Sequence, residues 1–246
     1  MSKSGEIWVG DCTRLMRRIP SRSVALIITS PPYNAGKEYE PDYSLEDYQK
    51  FAQSWVKWIP RLLKSSGSFW LNVGYTAVGP NETLPLTYLY YPLVRLKLIQ
   101  EIVWHYEGGM AYKKRYAHRT ERWMWFARNP EKVLFALDRV RDKSLNRTQD
   151  KRNHPLGKNP TDYWFFNRVV SGTGKVKEKT KHPCQFPEKM IERIILANSN
   201  PGDLVVDPMC GSGTVPVVAK RLGRKYLGIE INREYVEEAL VRLKQV

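Results

Sequence analysis

Short apolar runs alternate with segments of helical periodicity along most of this chain. The strand-like runs are continuous and rich in β-branched or aromatic residues, and they cover residues 24–29, 67–73, 99–106, 122–127, 204–207 and 226–230. Apolar residues three and four apart predict helices over residues 45–63, 88–98, 188–197, 214–222 and 234–243. Because strands without polar alternation are typical of parallel sheets covered on both faces, the pattern predicts a doubly wound, mostly parallel α/β sheet.

Residues 138–181 interrupt this alternation. They are polar, basic and rich in Gly, Pro and Asn, with one aromatic cluster at residues 163–166. A chain of 246 residues has room for one domain with a modest insertion. We therefore interpret residues 138–181 as an insertion or recognition element, whose aromatic cluster forms its own small core. Residues 1–137 and 182–246 would then form the main domain.

The net charge of +15 is concentrated in two stretches. Residues 138–181 contain twelve Lys or Arg and five Asp or Glu, and residues 111–128 contain six basic residues and one acidic residue. Charge concentrated in this way favours a surface that binds a polyanion such as nucleic acid. The candidate contacts in the second stretch are Lys113, Lys114, Arg115 and Arg119.

Several classes of protein and site do not fit the composition. No apolar run approaches the roughly 20 residues that a membrane span needs, and the N-terminal residues have no apolar signal core. The three cysteines are far apart and form no CxxC pair, which argues against a disulfide framework or a zinc site. We expect a cytoplasmic protein without a metal.

The turn after residues 204–207 has the composition of a nucleotide-binding loop. It contains Gly211-Ser-Gly213 and leads into a predicted helix, and glycine lets ligand atoms approach the backbone closely. Glu230 ends the next predicted strand, where a carboxylate can hold both hydroxyls of a ribose. A dinucleotide site would have a third glycine at the position of Pro216. We therefore expect an adenosine cofactor without a pyrophosphate.

The strand over residues 24–29 leads into Ser30-Pro-Pro-Tyr33. The two prolines make this turn rigid and remove two N–H donors, so that carbonyl oxygens and the Ser30 hydroxyl are left as acceptors. Tyr33 adds an aromatic face that can stack on a flat ring. Acceptors on both N–H bonds of an aromatic amine would favour a pyramidal nitrogen and direct its lone pair at an electrophile. This turn is our candidate site for an exocyclic amino group.

These two motifs resemble those of the amino-directed DNA methyltransferases, which use S-adenosylmethionine. Ser30-Pro-Pro-Tyr33 is similar to their catalytic motif, and Asp207-Pro-Met-Cys-Gly-Ser-Gly-Thr214 is similar to their cofactor loop. The catalytic motif comes first in the chain, as in the permuted beta group of that family, whereas glutamine methyltransferases have the cofactor loop first. The resemblance implies a Rossmann-like, circularly permuted fold that acts on nucleic acid. It also implies that residues 1–137 and 182–246 form the catalytic and cofactor-binding domain and that residues 138–181 are a target-recognition insertion.

The resemblance also implies roles for single residues. Ser30 and the Pro31 carbonyl would accept the amino protons, next to Pro32, while Tyr33 stacks on the extruded base. The cofactor-binding residues that it implies are Asp11, Phe186, Asp207, Cys210, Gly211, Ser212, Gly213, Thr214 and Glu230. In this reading Asp207 and its loop hold the methionine part, Glu230 holds the ribose, and Cys210 packs beside the cofactor. No metal is implied.

Ser30 at the first catalytic position, in place of Asp, is typical of the N4-cytosine enzymes of the family and favours cytosine N4 as the methylated atom. An N6-adenine enzyme, an RNA amino-methyltransferase and a non-catalytic nucleic-acid-binding module stay open as alternatives. The amino group of a paired base is out of reach until the base is extruded. The implied partner is double-stranded DNA, and a restriction endonuclease and a homodimer stay open.

Overall fold

The computed structural model describes residues 5–36, 43–109, 112–142, 154–169 and 178–246. In these ranges the strands are β1 (Gly5–Val9), β2 (Val24–Thr29), β3 (Leu63–Val73), β4 (Tyr75–Gly79), β5 (Glu82–Pro85), β6 (Lys97–His105), β7 (Thr120–Ala127), β8 (Tyr163–Phe165), β9 (Leu204–Asp207) and β10 (Lys225–Glu230). The helices are α1 (Cys12–Leu15), α2 (Leu45–Val56), α3 (Ile59–Leu62), α4 (Leu86–Leu93), α5 (Glu188–Asn198), α6 (Thr214–Arg221) and α7 (Arg233–Lys244). None of these helices is long and apolar enough to cross a membrane.

One sheet contains eight of the strands in the order β1-β10-β9-β2-β3-β7-β6-β8. β7 runs antiparallel to its neighbours β3 and β6, and the other pairings in this sheet are parallel. β4 and β5 form a separate two-stranded hairpin. The predicted mostly parallel sheet is therefore confirmed.

Apolar side chains cover both faces of the sheet, because successive residues of a strand point to opposite sides. Ile27 of β2 packs on one face in a cluster with Trp55 of α2. Ile28, the next residue along β2, packs on the other face with Ile194 of α5 and Val218 of α6. All of these side chains are fully buried or nearly so. Helices on both faces confirm the doubly wound arrangement.

The first and last strands of the chain are neighbours in the sheet. β10 pairs with β1, and β9 pairs with β2, so the C-terminal β9–β10 pair lies between the two N-terminal strands. Residues at the carboxyl ends of parallel strands meet at one edge of a sheet. Ser30, which follows β2, and Asp207, which ends β9, therefore come together although they are far apart in the sequence.

Two predicted helices were too long. The helix predicted over residues 45–63 is divided into α2 and α3, with Pro60 in the first turn of α3, where a missing N–H costs no hydrogen bond. The helix predicted over residues 88–98 ends at Leu93 in α4, which contains Pro92, and the backbone is extended at Val94. The residues that follow start β6, so tertiary pairing determines their conformation.

The structure corrects the prediction for the aromatic cluster at residues 163–166. Tyr163–Phe165 form β8, which pairs with β6 and extends the main sheet. The Trp164 ring stacks on Trp70 of β3 with ring centroids 5.8 Å apart, and Trp70 also stacks on Trp125 of β7 at 5.2 Å. Trp164 therefore belongs to the core of the main sheet, with Phe166 packed against it, and the cluster does not form a core of its own. Residues 143–153 and 170–177 of the expected insertion lie outside the described residues.

Replacement of Trp164 tests this correction. We expect Trp164→Ala to lower the free energy of unfolding of the whole chain by about 3 kcal/mol, because it removes a stacked ring from the main core. Its neighbour provides a matched control: Tyr163 is 54% exposed, so Tyr163→Ala should cost less than about 1 kcal/mol. Denaturant titration followed by far-UV circular dichroism measures both. Equal, small effects would mean that residues 163–166 contribute nothing to the main core.

Candidate active site at the carboxyl edge of the sheet

A cavity of about 610 Å³ opens at the carboxyl ends of β2, β9 and β10. Its volume lies in the range of small-molecule sites, roughly 300–1,000 Å³. The cavity brings together most of the residues that the sequence singled out. Those that line it are Asp11, Ser30, Pro31, Pro32, Tyr33, Phe186, Asp207, Cys210, Gly211, Ser212, Thr214 and Glu230.

Gly213 is a predicted cofactor residue that does not line the cavity. It precedes α6 with a φ of 80°, a left-handed conformation that glycine adopts without strain. A Cβ atom at this position would lie 2.7 Å from the Cβ of Ala239 in α7. Gly213 therefore allows α6 and α7 to pack closely behind the loop.

The four predicted nucleic-acid contacts lie in the connection between β6 and β7, outside the lining of the cavity. Lys113, Lys114 and Arg115 are exposed, and the Arg115 guanidinium lies over the Tyr112 ring at 4.2 Å. Arg119 is half-buried and donates hydrogen bonds to the backbone oxygens of neighbouring residues in this connection. Of the four, only Arg119 is brought close to a residue of the cavity lining, because its guanidinium and that of Arg168 both lie against Gly109.

Glu230 is fixed between two backbone N–H groups at the end of β10. Its Oε2 accepts a hydrogen bond from Gly211 N at 2.9 Å, and its Oε1 accepts one from Asn232 N at 2.8 Å. Burial raises the pKa of the carboxyl group, while these N–H donors oppose the shift. Each oxygen keeps a lone pair for a further donor, so the carboxylate can hold a diol from a fixed position.

Asp207 is a buried carboxyl group at the end of β9. Its Oδ1 accepts a hydrogen bond from Met209 N at 3.1 Å. Burial raises its pKa to about 7, and the negative charge of Glu230 acts in the same direction. Among the described residues no cationic side chain forms an ion pair with Asp207. The site therefore suits a ligand that brings its own positive charge.

The glycine loop is packed against the His182 ring. Gly211 has a φ of 50°, and a Cβ atom there would lie 3.0 Å from ring atoms of His182. The His182 ring also contacts Tyr235, with ring centroids 4.6 Å apart. Burial, assisted by the charge of Lys179, lowers the pKa of His182 to about 4, so the ring is neutral at pH 7. His182 thus shapes the loop without adding charge.

Two of the cysteines in the cavity wall are unreactive. Burial raises the pKa of Cys12 to about 12 and that of Cys210 well above its usual value, so both thiols stay protonated at neutral pH and are poor nucleophiles. A Cβ atom at Gly228 would lie 2.7 Å from the Cys210 sulfur, so this side chain fills space against β10. The described residues contain no cluster of His, Cys, Asp or Glu that could hold a metal ion.

The Tyr33 hydroxyl is the centre of a hydrogen-bonded network at the other end of the cavity. It lies 2.7 Å from Asn72 Oδ1 and 2.9 Å from Glu121 Oε2, and Ser30 Oγ lies 2.9 Å from it. Asn72 Oδ1 and the Glu121 carboxylate are acceptors, so the single phenol proton is donated to one of them. Burial and the charge of Glu121 also raise the pKa of Tyr33 well above 10, which keeps that proton in place.

This network determines the orientation of the Ser30 hydroxyl. Because the Tyr33 proton is directed at Asn72 or Glu121, the Ser30 hydroxyl donates its own proton to Tyr33. Both lone pairs of Ser30 Oγ are then left to accept hydrogen bonds. A serine held in this way accepts hydrogen bonds from the N–H groups of a ligand, because its own proton is already donated to Tyr33.

The two proline carbonyls of the motif have different environments. The Tyr48 hydroxyl, on α2, donates a hydrogen bond of 2.6 Å to Pro32 O. Within the described residues, Pro31 O receives no such hydrogen bond. Pro31 O and Ser30 Oγ are therefore the acceptors that remain for a ligand at this end.

Sequence reasoning assigned no role to several residues that shape the site. Asn72 is the one polar side chain at the end of an apolar run in β3, which is a signal that could have identified it. Gly74 lies under the Tyr33 ring, since a Cβ atom there would be 3.0 Å from the ring. Glu121 and Tyr48 come from other elements, and only the three-dimensional contacts connect them with Tyr33 and Pro32.

Several known proteins match most of the chain, among them two methyltransferases. It is 41% identical to the type II methyltransferase M.ScaI of Streptomyces caespitosus, over 97% of this chain and 81% of that protein. It is 34% identical to the DNA adenine methyltransferase YhdJ of Escherichia coli strain K12, over 95% of this chain and 81% of that protein. The two names therefore agree on methyl transfer.

Solved structures show the same fold. The cytosine-N4-specific PvuII DNA methyltransferase superposes with a TM-score of 0.75 at 23% identity, over 97% of this chain and 86% of that one. A DNA modification methylase of Thermus thermophilus, solved in complex with S-adenosylmethionine, superposes with a TM-score of 0.68 at 24% identity. The match covers 98% of this chain and 93% of that one.

A protein-family model described as DNA methylase matches residues 24–241. This range includes both motifs and most of the residues that line the cavity, although Asp11 lies outside it. The family depends on S-adenosylmethionine, which confirms the cofactor expected from the sequence. The chain is a DNA amino-methyltransferase of the restriction–modification type and belongs to the N6_N4_Mtase family of DNA methylases.

Proposed function

We propose that this chain transfers a methyl group from S-adenosylmethionine to the exocyclic N4 of a cytosine extruded from duplex DNA. The observation that carries the proposal is the orientation of Ser30, whose hydroxyl donates to Tyr33 and keeps its lone pairs for a ligand. An exocyclic amino group needs such acceptors, and serine at this position is typical of the N4-cytosine enzymes that the motif resembles. A restriction endonuclease of matching specificity would be its partner in the cell.

The residues at the Glu230 end of the cavity fit the cofactor. Glu230 would hold the ribose hydroxyls, and Asp11 would lie near the adenine. Buried Asp207 would attract the ammonium group of the methionine part, because it lacks a cationic partner among the described residues. When bound, the cofactor supplies an electrophilic methyl group on a sulfonium. Phe186, which packs on Trp123 at 5.0 Å, would close the apolar side.

The residues at the Tyr33 end would bind the amine. Ser30 Oγ and Pro31 O would each accept one N–H of the amino group, so that its lone pair faces the methyl group. As the N–C bond forms and the S–C bond breaks, the nitrogen loses one proton. The hydrogen bonds from Ser30 to Tyr33 and from Tyr33 to Glu121 offer this proton a path to a carboxylate.

Adenine N6 is the second candidate acceptor. The relative named a DNA adenine methyltransferase is 34% identical over nearly the whole chain. The two acceptors at Ser30 and Pro31 would also fit the amino group of adenine, which has the same two protons. The choice between the bases depends on the identity of the methylated nucleoside.

Nucleoside analysis tests the proposed reaction. Duplex DNA is incubated with the protein and isotope-labelled S-adenosylmethionine, digested to nucleosides and examined by mass spectrometry. We expect labelled N4-methyldeoxycytidine. Labelled N6-methyldeoxyadenosine would overturn the choice of base. If the protein binds S-adenosylmethionine but the DNA contains no labelled nucleoside, the proposed reaction is wrong.

Removal of the Tyr33 hydroxyl should slow methyl transfer. In Tyr33→Phe the ring is retained, but Ser30 loses the acceptor of its proton and can turn to donate into the site. We expect kcat to fall at least roughly tenfold, the worth of a hydrogen bond in a charged network, with cofactor affinity unchanged. Tyr88→Phe is the control, because Tyr88 is 73% exposed. Equal kcat values for the two variants would show that the hydroxyl does not orient Ser30.

The pH dependence of cofactor binding should follow Asp207. Its pKa of about 7 in the free protein means that it is partly protonated at neutral pH, whereas a cationic cofactor favours the ionised form. Affinity should therefore fall as the pH drops from about 8 to about 6, by at most tenfold per pH unit. Calorimetry over this range should show weaker and nearly pH-independent binding for Asp207→Asn. A slope that persists in the variant would assign the titration to another group.

A further inference from the structure

Two guanidinium groups converge at the mouth of the cavity. Gly109 has a φ of 96°, and a Cβ atom there would lie 2.9 Å from a terminal nitrogen of Arg168 and 3.2 Å from one of Arg119. The two nitrogens are therefore within about 6 Å of each other, where like charges repel. Arg119 is the last residue of the connection between β6 and β7, and Arg168 follows β8, so separate parts of the chain bring the two charges together.

Arg168 is held with its guanidinium against an aromatic ring. Its guanidinium carbon lies 4.6 Å from the centre of the Tyr106 ring, and Arg168 itself lines the cavity. Its Nε is buried and has no hydrogen-bond partner among the described residues. Stacking of this kind fixes the orientation of a guanidinium while its edge stays available to a planar or tetrahedral anion.

Tyr106 connects this pair of arginines with the substrate end of the cavity. Its N–H donates to Arg119 O at 3.0 Å. The charge of Glu121, whose carboxylate lies within hydrogen-bond distance of the Tyr33 hydroxyl, helps burial to raise the pKa of Tyr106 to about 12, while the charges of Arg168 and Arg119 oppose the shift. The arginine pair therefore lies beside the end where Ser30 and Tyr33 face the cavity.

We propose that Arg119 and Arg168 form a binding site for one phosphate of the DNA backbone next to the extruded nucleotide. The inference rests on the proposed function, since an extruded base brings its flanking phosphates to the mouth of its pocket. Two guanidinium groups can bind a phosphodiester through charge-assisted hydrogen bonds and relieve their mutual repulsion. The absence of a side chain at Gly109 allows both guanidinium groups to approach its backbone this closely.

Arg168 is the residue to replace first, because sequence reasoning did not assign it to the DNA. Arg168→Gln should raise the KM for DNA roughly tenfold and reduce the slope of log affinity against log salt by about one, with cofactor affinity unchanged. Arg168→Lys keeps the positive charge but loses the planar guanidinium, so its KM for DNA should lie between those of Arg168→Gln and the wild type. Arg95→Gln is the matched control. Arg95 is exposed and precedes the start of β6, at the end of the sheet opposite to the cavity.

DNA in which single phosphates are replaced by neutral groups identifies the phosphate that Arg168 binds. Single methylphosphonates are placed on either side of the target nucleotide, in a duplex carrying the site that the wild type methylates. One position should weaken wild-type binding roughly tenfold and leave Arg168→Gln binding unchanged, because the variant has already lost that contact. Equal losses in both proteins at every position would overturn the proposal.

The remaining outcomes separate this site from the proposed function. A lower cofactor affinity of Arg168→Gln, with an unchanged KM for DNA, would assign the arginines to the cofactor carboxylate and overturn the phosphate site alone. If wild type methylates DNA and all variants have the wild-type KM, the phosphate site is likewise wrong. If wild type methylates no DNA base, the proposed function fails and the phosphate site fails with it.

Discussion

Leu26 and Ile27 of β2 pair with Val205 and Val206 of β9, and this short parallel ladder fixes the distance between the two loops of the site. Ser30 follows one strand and Asp207 ends the other, so the amine platform and the cofactor loop open into one cavity. Because the strands are buried on both faces, neither loop can shift without disturbing the core. The order of the two motifs along the chain is then of no consequence for the chemistry, since β9 and β10 lie between β1 and β2.

The second constraint on the site is which hydroxyl group donates a hydrogen bond and which accepts one. A serine hydroxyl can donate or accept, and only an accepting serine suits an amino group. Tyr33 removes the ambiguity because Asn72 and Glu121 leave its oxygen as the acceptor for Ser30. At the other end of the cavity, the buried carboxyl group of Asp207 has a pKa of about 7 and suits a cationic ligand. The Tyr33 end therefore offers neutral hydrogen-bond acceptors for an amino group, whereas the Asp207 end offers a carboxylate for a cation.

The parts predictable from the sequence are those encoded locally. β2 and β9 are continuous apolar runs, and the turns after them contain residues of distinctive chemistry, so most strands of the main sheet and twelve of the residues that line the cavity were expected. β8 was missed because three residues give no periodic signal, and its place in the core depends on the stacking of Trp164 on Trp70. The partners of Tyr33 and the pairing of Arg168 with Arg119 join residues far apart in the chain, which no local pattern connects.

The structure of a complex with duplex DNA and S-adenosylhomocysteine would show directly whether Ser30 and Pro31 bind the amino group. We expect the target base to lie inside the cavity with its exocyclic nitrogen within about 3.2 Å of both Ser30 Oγ and Pro31 O. The Ser30 hydroxyl should still donate to Tyr33. A target base bound in the cavity with its amino group out of hydrogen-bonding reach of Ser30 would contradict the role of this serine as the acceptor.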